Sequence, residues 1–283
     1  MISACKKMFL SMLLATSLVT NLNGCDDGGN REPAPPDQGG PALDATFLRP
    51  DTQGPTEDAT PRDGTAPSPD TALDMSIAPR GHTVFAFPIH PDDREHIHAG
   101  LIIGVDHDPT STSRILCENY EGRGFPGCYD EHEGTDFMVW GGFETTDAQD
   151  IRVVAAAAGT ITRIEDGHYD RCSGDLNTLD VDCNGHEMVA NRVHIRHADG
   201  LQSRYLHLKK DSVLVSVGMT VQCGDLLGMV GSSGRSIAPH LHFELRDASG
   251  ALLDPYSPDD NEMNSYWSRQ RVADGLPAPI CSP

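Results

Sequence analysis

The most informative segment of the chain is Pro239-His240-Leu241-His242-Phe243-Glu244-Leu245. Its polar and apolar side chains alternate, which is the pattern of a β-strand with two different faces. The two histidines and the glutamate would project from one face, whereas the leucine and phenylalanine side chains would enter the core. The sequence therefore predicts two imidazoles side by side on one strand.

A second segment, about a hundred residues earlier, reads His132-Glu133-Gly134-Thr135-Asp136. Because His132 and Asp136 are four residues apart, they share a face whether the segment is helical or extended. A catalytic zinc takes about three imidazole or carboxylate ligands and keeps one position open for water. The two segments together offer three histidines and one aspartate, and they predict a zinc site.

A third segment, Ser203-Arg204-Tyr205-Leu206-His207-Leu208, alternates in the same way, so its pattern places Ser203, Tyr205 and His207 on one face. The three motifs HxxxD, YxHL and PHLHFE follow each other in this order along the chain. Together they resemble the signatures of the M23 zinc metallopeptidases, the lysostaphin and LytM type of peptidoglycan endopeptidase. The resemblance runs from about Gly134 to Pro255.

The resemblance implies an all-β fold, with an antiparallel two-sheet groove domain of the M23 or LytM type that is similar to a duplicated hybrid motif. It implies that His132, Asp136 and His242 hold one Zn²⁺ per chain, while His207 and His240 stay off the metal and act on substrate. The implied reaction is hydrolysis of the peptide cross-links of bacterial peptidoglycan by a zinc-activated water, with the peptidoglycan peptide stems as the partner. Since the chain has no HExxH motif, histidines would take the role of general base.

The sequence departs from the family pattern at two places. The family usually continues from Asp136 into an apolar-Pro-Gly turn, whereas this chain reads Phe-Met-Val-Trp-Gly-Gly-Phe. An insertion with two cysteines, from about Gly167 to Met188, interrupts the strand region. Both departures leave the predicted ligands in place and bear on the shape of the groove.

Short alternations occur elsewhere in the chain, for example at Arg192–Arg196 and Asp211–Val217, and Asp-Gly and Ser-Ser-Gly turn signals separate them. No long stretch has helical periodicity, which favours antiparallel sheets joined by hairpin loops. His194 and His197 are separated by two residues, so they would lie on opposite faces of a strand.

The first 25 residues have the pattern of a secretory signal. Lys6 and Lys7 precede an apolar run at Met8–Thr20, which is too short to span a bilayer, and Leu22-Asn23-Gly24-Cys25 resembles a bacterial lipobox. Cys25 would then carry a lipid and anchor the protein to a membrane. Ordinary signal cleavage and a short uncleaved anchor are the alternatives. All three interpretations export the protein to the cell envelope.

Composition divides the remainder of the chain. Half of the 20 prolines fall between Cys25 and Arg80, and this stretch has too little apolar surface to offset the entropy of ordering it, so a disordered tether is predicted. The predicted segments are a signal peptide (1–25), a linker (26–80), an N-terminal extension that lines or covers the groove (81–130), the peptidase domain (131–258) and a C-terminal tail (259–283).

The formal net charge of −21 at pH 7 argues against a nucleic-acid partner, which is bound through an excess of Lys and Arg. Six cysteines remain after Cys5 and Cys25, and an even number in an exported domain favours disulfides. Proximity in the sequence suggests Cys117 with Cys128 and Cys172 with Cys183, which leaves Cys223 for Cys281.

Two other segments offer metal ligands. His96-Ile97-His98 is a second HxH motif without a companion, and it is interpreted as a polar loop or a strand edge. Asp180–Gly185 matches the first half of an EF-hand loop, but its twelfth position is Asn191 and not glutamate, so a turn bridged by cysteines is the simpler interpretation. The sequence leaves a second metal open at both segments.

Two competing functions remain at this level. The chain would act on Gly-rich proteins if it were a secreted-type metalloprotease, or it would bind the cell wall without cleaving it if it were a regulatory module. The presence of every family ligand favours an active enzyme.

Overall fold

A computed structural model describes residues 81–107, 127–175, 178–257 and 262–281. Its elements are a 3₁₀ helix (Pro91–His96), one α-helix, α1 (Phe143–Ala148), and twelve β-strands. The strands are β1 (Ile97–Ile103), β2 (Thr135–Val139), β3 (Arg152–Val154), β4 (Gly159–Glu165), β5 (Ser173–Gly174), β6 (Val181–Asp182), β7 (Arg192–Arg196), β8 (Gln202–Leu206), β9 (Thr220–Val221), β10 (Leu226–Met229), β11 (His240–Arg246) and β12 (Leu252–Leu253).

One large sheet organises the domain. Its strands lie in the order β1-β2-β11-β8-β7-β4-β9, and β12 also pairs with β11. Strands β3 and β10 form a two-stranded sheet, as do β5 and β6, and all these pairs are antiparallel. The predicted all-β, antiparallel fold is therefore confirmed.

Strand β11 lies in the middle of this sheet, between β2 and β8. Its apolar side chains are fully buried, as the alternation predicts. The opposite face of the strand is also buried, with exposures of 3% for His240, 7% for His242 and 5% for Glu244. The segments that carry His132 and His207 pack over this face. The histidines therefore lie in a covered site and not on an open sheet surface.

An aromatic cluster forms the centre of the core beneath the sheet. Its members are fully or almost fully buried and come from distant parts of the chain: Phe85, Phe87, Phe137, Phe243 and Trp267. Edge-to-face contacts such as Phe87–Phe137, with ring centroids 5.0 Å apart, hold the cluster together. Residues 81–107 and 262–281 thus share one core with the strands that carry the predicted ligands.

Two of the three predicted disulfides are confirmed, Cys172–Cys183 and Cys223–Cys281. The third predicted pair includes Cys117, which lies outside the described residues, as do the predicted signal segment, Cys25 and the tether. Within the described ranges, no helix has the length and apolarity needed to cross a membrane.

His194 and His197 lie on opposite faces of the sheet, as predicted. His197 lies on the core side, where its Nε2 is 2.9 Å from the hydroxyl of Ser203. His194 lies on the other side, and burial followed by the charge of Arg204 lowers its pKa from 6.5 to about 4. The folded protein therefore holds His194 neutral at a pH where the unfolded chain binds a proton.

This shift predicts an acid-sensitive stability. Between pH 6.5 and pH 4 the unfolded state binds more protons than the folded state, so the free energy of unfolding falls as the pH falls. From pH 7 to pH 5, the wild type should lose about 2 kcal/mol more than a His194→Gln variant. Urea unfolding of the two metal-free proteins at both pH values measures this difference, and an identical pH dependence would contradict it.

Candidate metal centre

The pairing of β2 with β11 brings the predicted ligands together. Asp136 on β2 is the direct partner of His242 on β11, and His132 lies in the turn that precedes β2. The Nδ1 atom of His242 is 2.7 Å from Oδ1 of Asp136 and 3.2 Å from Nε2 of His132. The His132 Nε2 and Asp136 Oδ1 atoms are 3.1 Å apart. All three side chains are buried.

These separations suit a zinc ion. Ligand atoms about 2.0–2.1 Å from a tetrahedral zinc lie about 3.3 Å from one another. Two of the three separations are within about 0.2 Å of that value, and the third is a direct contact between Asp136 and His242. Two imidazole nitrogens and one carboxylate oxygen are ligands that zinc accepts, so the residues present fit the metal.

A backbone carbonyl fixes the orientation of His132. Its Nδ1 atom donates a hydrogen bond to the carbonyl oxygen of Gly104, at 2.6 Å, which leaves the lone pair on Nε2 directed at the other two donors. Tyr129 stacks on the same imidazole, with ring centroids 4.3 Å apart. Gly104 and Tyr129 both precede the motif, and neither was identified from the sequence.

The prediction that His207 shares a face with Tyr205 is wrong. Tyr205 lies in the core, where its ring centroid is 5.4 Å from that of Phe243. Strand β8 ends one residue before His207, which has a φ of 63° in the left-handed region. The imidazole therefore lies on the opposite face, with its ring centroid 4.7 Å from that of His240 and 5.6 Å from that of His242.

Backbone carbonyls also hold the two histidines that were predicted to act on substrate. Nδ1 of His207 donates to the carbonyl oxygen of Ser233 at 2.6 Å, and Nδ1 of His240 donates to that of Ala238 at 2.7 Å. Both rings are therefore oriented through Nδ1, and the Nε2 atom of His240 lies 3.4 Å from Oδ1 of Asp136. His207, His240 and His242 form a second group of donor atoms, all within 4.8 Å of one another.

Opposite charges dominate the site. Burial raises the pKa of Asp136, but the neighbouring His132 and His240 outweigh it and hold the pKa well below its ordinary value. Burial lowers the pKa of His242, but Asp136 and Glu244 outweigh it and raise the pKa to about 9. Two carboxylates thus create a position that favours a cation. His207 differs, because burial and then the charges of His240 and His242 keep its pKa well below the ordinary value.

Glu244 is a buried member of this network, with an exposed fraction of 5%. One of its oxygens accepts hydrogen bonds from Arg204 at 3.0 Å and Arg246 at 2.7 Å. The other lies 3.6 Å from Nε2 of His242. A carboxylate behind a ligating imidazole orients the ring and raises its basicity. Glu244 is therefore placed to position His242.

A groove of about 340 Å³ opens in front of the site. Its wall includes Asp136 and His240 from the site, Tyr129 from the preceding segment, and residues 178–181 from the insertion. Backbone hydrogen bonds join the insertion to the segment that leads into β11. The N–H of Cys172 donates to the carbonyl of Ser232, and the N–H of Gly174 donates to that of Ile237. The insertion is therefore a wall of the groove, whose shape it was expected to affect.

The two rival metal segments have other contacts. His98 stacks on Trp140, with ring centroids 3.6 Å apart, and Nε2 of His96 lies 2.6 Å from the side-chain amide of Gln149. His98 lies on β1, an edge strand of the large sheet, as one interpretation of the motif predicted. Among the described residues, neither the His96-Ile97-His98 motif nor the Asp180–Gly185 loop contributes to a group of three converging donor atoms.

Comparison with known proteins agrees with these motifs. Over 67 residues the chain is 43% identical to the DD-carboxypeptidase/endopeptidase Mpg of Neisseria meningitidis serogroup B. The aligned region is 24% of this chain and 15% of that protein. It is 40% identical over 98 residues to the peptidoglycan DD-endopeptidase ShyB of Vibrio cholerae. This aligned region is 32% of this chain and 22% of that protein. The chain thus spans less than a quarter of the length of these relatives.

Among solved structures, a zinc-containing peptidase from Vibrio cholerae covers 60% of this chain and 39% of its own, with 22% identity and a TM-score of 0.35. The catalytic domain of lysostaphin from Staphylococcus simulans covers 51% and 86%, with 23% identity and a TM-score of 0.32. The fold assignment rests on the sheet topology and not on these scores. Residues 131–255 match the model of peptidase family M23, and this chain therefore carries a domain of that family.

Proposed function

We propose that this chain is a zinc-dependent endopeptidase that hydrolyses peptide cross-links of bacterial peptidoglycan. The observation that carries the proposal is the convergence of three buried donor atoms, from His132, Asp136 and His242, beside two further histidines. Relatives whose names state peptidoglycan DD-endopeptidase activity support the choice of substrate.

In this proposal His132, Asp136 and His242 hold one Zn²⁺ per chain. Bound there, the zinc supplies a Lewis acid that lowers the pKa of a coordinated water to about 7 and polarises the scissile carbonyl. The low pKa of Asp136 keeps this ligand ionised. Glu244 holds the imidazole of His242 from behind, so that Nδ1 stays directed at the other two donors.

His207 and His240 act on the substrate. Because burial and two neighbouring imidazoles lower the pKa of His207, its ring is neutral near pH 7 and Nε2 can accept a proton from the attacking water. The Nε2 atom of His240 lies 3.4 Å from Asp136 and borders the groove. From this position His240 donates a hydrogen bond to the developing oxyanion, and the proton that His207 accepts from the water passes to the leaving amine.

The test is digestion of purified sacculi. Incubation with the zinc-loaded protein should release peptide fragments that mass spectrometry identifies as products of cross-link hydrolysis, and a chelator should stop their release. Elastin-like peptides serve as the competing Gly-rich substrate. Cleavage of these peptides but not of sacculi would favour a secreted-type metalloprotease, and zinc-loaded protein that binds sacculi without releasing fragments would favour a non-catalytic wall-binding module.

The proposal also includes a location in the cell envelope. It rests on the signal-like pattern of residues 1–25, with a lipid on Cys25, and on a linker at 26–80 long enough to separate the catalytic domain from a membrane. Peptidoglycan lies outside the cytoplasmic membrane, so an exported domain and this substrate are consistent with each other.

A further inference from the structure

An arginine lines the groove beside the predicted metal ligands. Arg235 is exposed and borders the same cavity as Asp136 and His240. The preceding Gly234 has a φ of 74°, and a Cβ atom there would lie 2.8 Å from the backbone nitrogen of Ala190. Only glycine fits this tight, left-handed turn without strain. The turn therefore fixes the backbone from which Arg235 extends.

Arg235 is the only Lys or Arg among the described residues that line this groove. The other charged side chains of the wall, apart from the site histidine, are acidic: Asp130, Glu131, Asp136 and Asp180. The arginines behind the site already have carboxylate partners, since Glu244 pairs with Arg204 and Arg246, and Glu133 also pairs with Arg246. Within the described part of the chain, Arg235 has no carboxylate partner in ion-pair distance. Its guanidinium is thus left available to a ligand in the groove.

We propose that Arg235 binds a free carboxylate of the stem peptide and makes the enzyme prefer substrates that carry one. This inference rests on the proposed function. A guanidinium binds a carboxylate through two parallel charge-assisted hydrogen bonds, and its planar geometry selects that group. An otherwise acidic wall would repel a carboxylate placed elsewhere in the groove, so Arg235 also sets where the group can lie.

Two parts of a stem peptide can supply the carboxylate. One is the side-chain carboxylate of a diaminopimelate-type diamino acid, and the other is the terminal carboxylate of the stem. The test therefore uses two substrate pairs. The first is a cross-linked dimer with the side-chain carboxylate either free or amidated, and the second is a cross-linked dimer with the terminal carboxylate of its stem either free or amidated.

The zinc-loaded full chain should show a kcat/KM about 10- to 100-fold higher for the carboxylate member of one pair, the range expected for a hydrogen bond to a charged group. Arg235→Gln should remove this preference and leave the rate on the amidated member almost unchanged. Arg196→Gln is the matched control, because Arg196 is exposed and lies outside the groove wall, and it should keep the preference. The pair that responds identifies the source of the carboxylate.

A wild type without preference in either pair would overturn the inference, and so would equal losses on free and amidated substrates in Arg235→Gln. Calorimetry on zinc-loaded protein measures binding of the same substrate pairs independently of hydrolysis. It therefore distinguishes a failure of the Arg235 inference from a failure of the proposed function. If the wild type hydrolyses none of the substrates, the endopeptidase proposal fails. The ratio of Kd values for wild type and Arg235→Gln then decides on its own whether Arg235 binds the carboxylate.

Discussion

Replacing His240 with alanine is expected to abolish turnover and leave the zinc content unchanged, whereas His242→Ala or Asp136→Ala should lose both. His242 and Asp136 each contribute an atom to the tight donor group, so removing either leaves two ligands. Zinc should then fall below about a tenth of an equivalent after dialysis, since a zinc site needs about three protein ligands. His240 lies beside this group, and its loss should lower kcat about 10²- to 10⁴-fold.

The measurement combines metal analysis of dialysed full-length protein with the release of fragments from sacculi. His186→Ala is a suitable control, because His186 is exposed and stacks on Tyr169, and it should keep both zinc and activity. Circular dichroism confirms that each variant is folded. A His240→Ala protein without zinc would contradict the assignment, and it would place the metal in the second donor group of His207, His240 and His242.

A single methyl group at Gly134 should disable the site. A Cβ atom there would lie 2.5 Å from Nε2 and 2.7 Å from Cε1 of His242, and 2.8 Å from the carbonyl oxygen of Phe243. The carbonyl belongs to the central strand and cannot move freely, so the imidazole has to rotate away. We expect Gly134→Ala to lower the affinity for zinc at least about tenfold and the free energy of unfolding by about 1–3 kcal/mol.

Gly127→Ala is the matched control for this change. A Cβ atom at Gly127 would meet no atom within 4 Å, and its φ lies outside the left-handed region. This variant should bind zinc as the wild type does. Zinc titration with a competing chelator, together with urea unfolding, checks both proteins. Wild-type zinc affinity in Gly134→Ala would show that His242 does not occupy the position described above.

The sequence predicted the parts of the fold that depend on local alternation. The pattern at 239–245 predicted which side chains of β11 enter the core, and the spacing of His194 and His197 predicted that they face opposite sides. Cysteine proximity predicted the Cys172–Cys183 disulfide, and Cys223–Cys281 followed as the pair that remained. The alternation and the Cys172–Cys183 pair are set by neighbours in the chain, so a one-dimensional pattern contains this information.

Alternation failed at His207, where the strand ends and the backbone turns left-handed. Nothing in the local pattern signals this φ, because it depends on how the chain leaves β8. The carbonyl of Gly104 and the ring of Tyr129 were also missed. Gly104 lies near His132 because β1 pairs with β2, and a pairing between strands separated by thirty or more residues leaves no mark in either strand. Tyr129 lies near His132 through a local turn in which the N–H of His132 donates to the carbonyl of Tyr129.

The donor atoms, the strands that carry them and the M23 match of residues 131–255 can all be read from the amino-acid sequence. Folding is needed to bring His132, Asp136 and His242 into one buried place and Glu244 behind His242, and to leave Arg235 at the groove with no carboxylate partner among the described residues. The physical reason is the range of the interactions. Side-chain alternation is a property of one strand, whereas burial and charge neutralisation depend on segments that only folding brings together.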